Sequence, residues 1–260
     1  MRSADGTSLA VWVEGEGPPL VMVHGSLQDH TASGALVDEL RNDATTFSMD
    51  RRGFGASGDA AGYSIDREFE DVAAVVDAVA ARTAATVALW GHSYGAGCAM
   101  GGAARTTNVH RLVLYEPSLG LAYPAGSIES IERKVASGDM EAALLEVLVE
   151  IAGMTDDEVA AMRSNPKMSW TDRLATVPTV PRECRAENGW VYGPGQFDGV
   201  APPTLMLAGS ESPPALNEAT RQAAAAIPDV HIRVLEGHGH VAHRTDPAMV
   251  AAIIREFIAR

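Results

Sequence analysis

Six short apolar runs, Leu20–Val23, Thr46–Met49, Thr86–Trp90, Arg111–Tyr115, Thr204–Ala208 and His231–Leu235, constrain this chain more than any other feature. Helical patterns fall between most of these strand-length runs. Together they predict an α/β fold, a mostly parallel central sheet with helices on both sides. Upstream, Leu9-Ala10-Val11-Trp12-Val13 reads as an edge strand turned back at Gly15-Glu16-Gly17-Pro18. Val72, Val75, Val76 and Val79 recur at helical spacing, which predicts a helix over 65–82 packed on the sheet. The final helix is marked by Asp246 as cap, Pro247 at its first position, and an apolar face of Val250, Ile253, Ile254 and Phe257.

The rhythm breaks once. From 118 to 202 no strand-like run occurs, and several short helical patterns follow one another, with Ile128, Ile131 and Val135 on one face and Leu144, Leu145 and Leu148 on another. The segment reads as a helical cap inserted into a single domain spanning 1–260. Open α/β sheets bind ligands at the carboxyl ends of their strands, so a cap there would roof a site and exclude water. Trp170, Trp190, Tyr192, Met154, Met162 and Met168 either line its pocket or form its core.

At 260 residues one domain with a sizeable core is expected. The net charge of −14 would repel nucleic acid and anionic membrane surfaces. No apolar stretch approaches the ~20 residues of a membrane span, and Met1–Gly6 lacks a signal-peptide core, so the expectation is a soluble cytoplasmic protein, monomer or homodimer, with a small-molecule substrate. Cys98 and Cys184 stand in no metal-ligand or CxxC spacing and read as reduced thiols. Both lysines, Lys134 and Lys167, fall in the cap segment, leaving little basic surface, which points to a neutral or weakly anionic acyl compound.

Val87-Ala88-Leu89-Trp90 leads into Gly91-His92-Ser93-Tyr94-Gly95, and small residues that can open a helix follow. A serine on a sharp strand-to-helix turn projects its hydroxyl into the cleft at the helix N-terminus, and glycines two residues either side permit the close packing this needs. Ser93 is therefore the candidate nucleophile. The backbone N–H groups of Ser26, on the loop after Val21-Met22-Val23-His24-Gly25, and of Tyr94 are the candidate oxyanion donors, while His24 reads as a buried strut. A histidine in Gly237-His238-Gly239-His240-Val241-Ala242-His243 would serve as base, oriented by a buried carboxylate. Glu211, after the strand preceding this loop, completes the chain order serine, acid, histidine, and Glu116, in Tyr115-Glu116-Pro117, is its rival.

Two other motifs point elsewhere. Gly53-Phe54-Gly55-Ala56-Ser57-Gly58 fits the dinucleotide pattern G-x-G-x-x-G, but Asp59-Ala60-Ala61-Gly62 continues the loop where a helix N-terminus should hold the pyrophosphate. His238, His240 and His243 approach the H-x-H-x-D-H metal motif, but Ala242 stands in the aspartate's place and only one helix remains to supply further ligands.

Taken together, His24-Gly25, Asp50-Arg51-Arg52-Gly53-Phe54-Gly55-Ala56-Ser57, Gly91-His92-Ser93-Tyr94-Gly95 and Gly237-His238-Gly239-His240 resemble the α/β-hydrolase fold superfamily in order and interval. The resemblance spans the chain except the 118–202 cap, and it implies Ser93 as nucleophile, His240 rather than His238 as base, and Ser26 and Tyr94 as oxyanion donors. Glu211, following Gly209-Ser210, departs from the aspartate that the superfamily more commonly shows. The resulting expectation is hydrolysis of an ester, thioester or lactone by a Ser93–His240–Glu211 triad without a cofactor. Non-hydrolytic lyase or cyclase chemistry in the same pocket, or a silent ligand receptor on the scaffold, are the alternatives.

Overall fold

The computed structural model describes residues 1–152, 154–164 and 170–259; Lys167 and Met168 lie outside them. Its strands are β1 (Val11–Glu14), β2 (Pro19–Val23), β3 (Thr45–Met49), β4 (Val87–His92), β5 (Val109–Tyr115), β6 (Thr204–Gly209) and β7 (Val230–Leu235). They form a seven-stranded sheet in the order β1-β3-β2-β4-β5-β6-β7. Only β1 runs antiparallel, on the outer side of β3, so the expected edge strand and parallel sheet are both found. The helices are α1 (Gly34–Leu40), α2 (Ile65–Thr83), α3 (Tyr94–Ala103), α4 (Ser127–Ala136), α5 (Met140–Leu145), α6 (Asp156–Arg163), α7 (Trp170–Thr176), α8 (Val180–Asn188), α9 (Pro214–Ala225), α10 (Ala242–Thr245) and α11 (Pro247–Ile258).

Strand pleating divides the core. In β2, Leu20 and Met22 join α1 and α11 on one face, where Leu36, Leu40, Val250 and Ile254 are buried, while Val21 and Val23 join Val72, Val76 and Val79 of α2 and the small residues of α3 on the other. The Asp246 side chain accepts the Met249 N–H and caps α11 as the sequence predicts. Among the described residues no helix is long and apolar enough to cross a membrane.

Between β5 and β6 the described residues form helices and no strand. They bury their own cluster, including Ile128, Ile131, Leu144, Leu148 and Val177, to which Leu27 from the loop after β2 also belongs. Polar ties fix the segment to the carboxyl ends of the strands. Arg173 Nη1 donates to Leu27 O (3.0 Å), Arg182 Nη2 to Arg52 O (3.0 Å), and Arg51 Nη2 to Glu183 Oε1 (2.5 Å). Trp190 and Tyr192 are partly buried against the core beside α2 and α3 and not in the cap's own cluster: Trp190 packs on Phe69 with ring centroids 5.9 Å apart, and Tyr192 on Phe197 at 6.0 Å.

Candidate active site

Ser93 sits between β4 and α3 with φ 57° and ψ −127°, a conformation that side chains disfavour. Close packing enforces it. A Cβ on Gly91 would lie 2.6 Å from Gly95 O, and one on Gly95 would lie 2.2 Å from His24 O. The Ser93 N–H donates to Tyr115 O (2.9 Å), tying the turn to the end of β5. Gly25 has no Cβ to lie 2.9 Å from that of Ser93, so the loop after β2 passes directly against the serine. Ser26 is the next residue on that loop. The Tyr94 amide opens α3 and has no acceptor within its helix. Among the described residues, neither amide donates to a protein acceptor.

His24 is buried with both ring nitrogens engaged, Nδ1–H donating to Gly25 O (2.8 Å) and Nε2 accepting from the Arg51 N–H (3.1 Å). Burial, with Arg51 nearby, holds its pKa well below the usual value. It is a neutral strut, as expected.

The loop carrying His240 is pinned from below. His92 Nε2–H donates to His240 O (2.8 Å), and the Tyr115 hydroxyl donates to Gly239 O while accepting from the Ala242 N–H (3.1 Å). The His92 and His240 rings lie 4.5 Å apart. His240 Nδ1–H then donates to Glu116 Oε2 at 2.5 Å. This bond places the proton on Nδ1 and leaves Nε2 an acceptor.

The carboxylate facing His240 is therefore Glu116 and not Glu211. Glu116 directly follows β5, the strand paired to β4, and it is fully buried with φ 47°. Its second oxygen, Oε1, accepts the Gly209 N–H at 2.6 Å, so both oxygens are held. Glu211 follows β6, one strand farther out, and its side chain is exposed. Glu211 supports the histidine loop only through its backbone, donating N–H to His238 O (3.0 Å). The remaining histidines diverge: His238 Nε2 stands 4.0 Å from Asp246, and His243 is buried 4.2 Å from the His92 ring. The glycine-rich loop after β3 folds around Asp50, whose Oδ2 accepts the Ala56 N–H (2.8 Å) and would lie 2.0 Å from a Cβ on Gly55. It is a brace. Sequence reasoning did not find the supports His92 and Tyr115, whose only local signal is their place at adjacent strand ends.

A second buried cluster lies behind Tyr94. Arg51 Nε donates to His24 O (3.0 Å), Nη1 to Glu68 Oε1 (2.9 Å) and Nη2 to Glu183. The Tyr63 and Tyr94 hydroxyls are hydrogen-bonded to each other. Two buried carboxylates share one guanidinium, and burial pushes Glu68 up to about 7. A carboxyl whose folded pKa is raised contributes stability below its unfolded value, and that contribution is lost as pH rises through the folded one. The stability advantage of wild type over Glu68→Gln is therefore expected to shrink between pH 4.5 and 8, by ~3 kcal/mol at most, in urea unfolding at the two pH values. An advantage that grows with pH is the contrary result.

Residues 20–253 match the family model described as the alpha/beta hydrolase family. Among solved structures, the chain is similar to an alpha/beta hydrolase from Sphaerobacter thermophilus, with 29% identity, 99% of each chain covered and a TM-score of 0.83. An esterase from a Rhodococcus species shares 25% identity over 99% of this chain and 97% of that one, with a TM-score of 0.71. An esterase from Thermogutta terrifontis, solved with malate bound, shares 22% identity over 99% and 95%, with a TM-score of 0.74. Comparison with curated proteins gives no match.

Proposed function

As the chain belongs to the alpha/beta hydrolase family, we propose that it is a serine hydrolase that cleaves an ester, thioester or lactone of a small organic substrate through Ser93, His240 and Glu116. The observations carrying this reading are the 2.5 Å bond from His240 Nδ1–H to the buried Glu116, which leaves Nε2 free to accept a proton, and the strained turn that holds Ser93. Ser93 Oγ attacks the carbonyl carbon as Nε2 takes its proton. The resulting oxyanion accepts the Ser26 and Tyr94 N–H groups, each such donor being worth about 10²–10³ in rate. Collapse expels the alcohol or thiol with the proton from His240, and water, deprotonated by the same nitrogen, releases the acid. Glu116, holding Nδ1–H, orients the ring and stabilises the imidazolium. The helices between β5 and β6 act as a cap that limits water at the carboxyl edge. The esterases that share the fold support this reaction class.

Labelling by a fluorophosphonate probe tests the reading without knowledge of the substrate. Wild type is expected to be labelled, and Ser93→Ala and His240→Ala to lose the label. A folded wild type that resists the probe would move the reading to non-hydrolytic chemistry or ligand binding.

A further inference from the structure

Two arginines that this chemistry leaves unused converge on the loop after β2. Arg173 of α7 is only 3% exposed, and its Nη1 donates to Leu27 O (3.0 Å), one residue beyond the candidate oxyanion donor Ser26. Its Nε is buried without an acceptor. Arg244 of α10, four residues beyond His240, is half-buried and donates only a long Nε bond to Ala32 O (3.4 Å). Among the described residues neither guanidinium forms an ion pair, whereas the other two fully buried arginines do: Arg51 with Glu68 and Glu183, Arg52 with Asp5 and Asp71. Gln28, 9% exposed on the same loop, also has an unpartnered buried oxygen.

The charges of these two arginines bear on one another. Burial, with Arg244 nearby, holds Arg173 down to about 10, and burial lowers Arg244 as well. A buried guanidinium without a counter-anion is costly. This chain carries 34 acidic residues, yet Asp29, the carboxylate whose charge supports both arginines, lies outside ion-pair distance of either. An arriving planar anion would gain charge-assisted, bidentate hydrogen bonds that no protein group supplies.

We propose that Arg173 and Arg244 form a carboxylate-binding subsite beside the oxyanion loop, and that the substrate is a monoanion whose free carboxylate docks there while its ester, thioester or lactone carbonyl lies at Ser93. The placement rests on the hydrolase reading, but the binding does not require turnover. The scarcity of lysine pointed to a neutral or weakly anionic compound without placing a site for an anion. Buried arginines, silent in a count of basic surface, supply one.

The test is calorimetric binding to full-length Ser93→Ala of the monomethyl esters of succinate, glutarate and adipate, each against its uncharged dimethyl ester. At least one monoester is expected to bind tenfold or more tightly than its diester, as one charged hydrogen-bonded pair allows. Arg173→Gln and Arg244→Gln, each added to Ser93→Ala and shown folded by circular dichroism, are expected to reduce that preference to within about twofold. If Arg173→Gln fails to fold because it also ties α7 to Leu27, the half-buried Arg244→Gln decides. Equal affinity for monoester and diester, absence of monoester binding, or a preference that survives in the folded variants would overturn the proposal. Loss of the hydrolase reading shows itself separately, as an unlabelled wild type that still binds the monoester.

Discussion

Glu116→Gln is expected to lower kcat/KM for a p-nitrophenyl ester by about 10³–10⁴-fold, while Glu211→Gln leaves it within about twofold. The size follows from the two bonds that Glu116 makes. Its Oε1 accepts the Gly209 N–H at 2.6 Å, and Oε2 accepts His240 Nδ1–H at 2.5 Å. A carboxamide has one acceptor oxygen, and the backbone amide of Gly209 cannot be satisfied by an NH2 group. The amide oxygen therefore turns to Gly209 and the NH2 faces Nδ1. His240 must then carry its proton on Nε2, the nitrogen that should receive the proton of Ser93, and the charge that stabilises the imidazolium is gone as well. Because Glu116 is fully buried behind the ring, the loss is expected in kcat with KM little changed. Steady-state kinetics of both variants, with the rate of fluorophosphonate labelling as a second readout, settle the assignment. A larger loss in Glu211→Gln would return the acid to β6.

Why the sequence favoured the glutamate that does not face His240 is physical. Glu116 and Glu211 each follow a buried strand and each lies between Ser93 and His240, so chain order admits both, and only the place of Glu211 after β6, the strand preceding β7, favoured it. The deciding facts are spatial. β5 lies next to β4 and bonds the Ser93 amide directly, and a positive φ at Glu116 accompanies a fully buried carboxylate at that strand end. The central strands, by contrast, were legible because burial on both faces leaves apolar runs such as Leu20–Val23 and Val87–Trp90. The turn at Ser93 was legible because its glycines answer to backbone contacts of 2.2–2.6 Å that nothing larger fits. The paired helices between β5 and β6 announced themselves by periodicity. How they meet the sheet did not: Arg51 with Glu183 joins residues 132 apart, and Arg173 with Leu27 joins residues 146 apart, by long-range polar contacts that leave no local pattern.

Ser93→Gly is expected to abolish turnover, by about 10⁴-fold or more, and at the same time to raise stability above that of Ser93→Ala. The activity loss follows from removal of the attacking oxygen. The stability gain follows from the backbone. At φ 57° and ψ −127° a residue with a Cβ is strained by roughly 1–3 kcal/mol, a conformation that glycine adopts freely. Alanine keeps the Cβ and so keeps the strain. Glycine's greater freedom in the unfolded chain offsets about 0.5–1 kcal/mol, leaving a net gain of ~1 kcal/mol, or about 2–4 °C in Tm for a chain of this size. The comparison isolates the turn, because neither variant has a hydroxyl. Calorimetric melting of the two proteins measures the difference. If glycine is no more stable than alanine, the surrounding packing does not store strain at Ser93. If it is more stable, the turn that presents the hydroxyl is maintained at the expense of stability, with the β4–α3 junction and the Gly25 loop holding it in place.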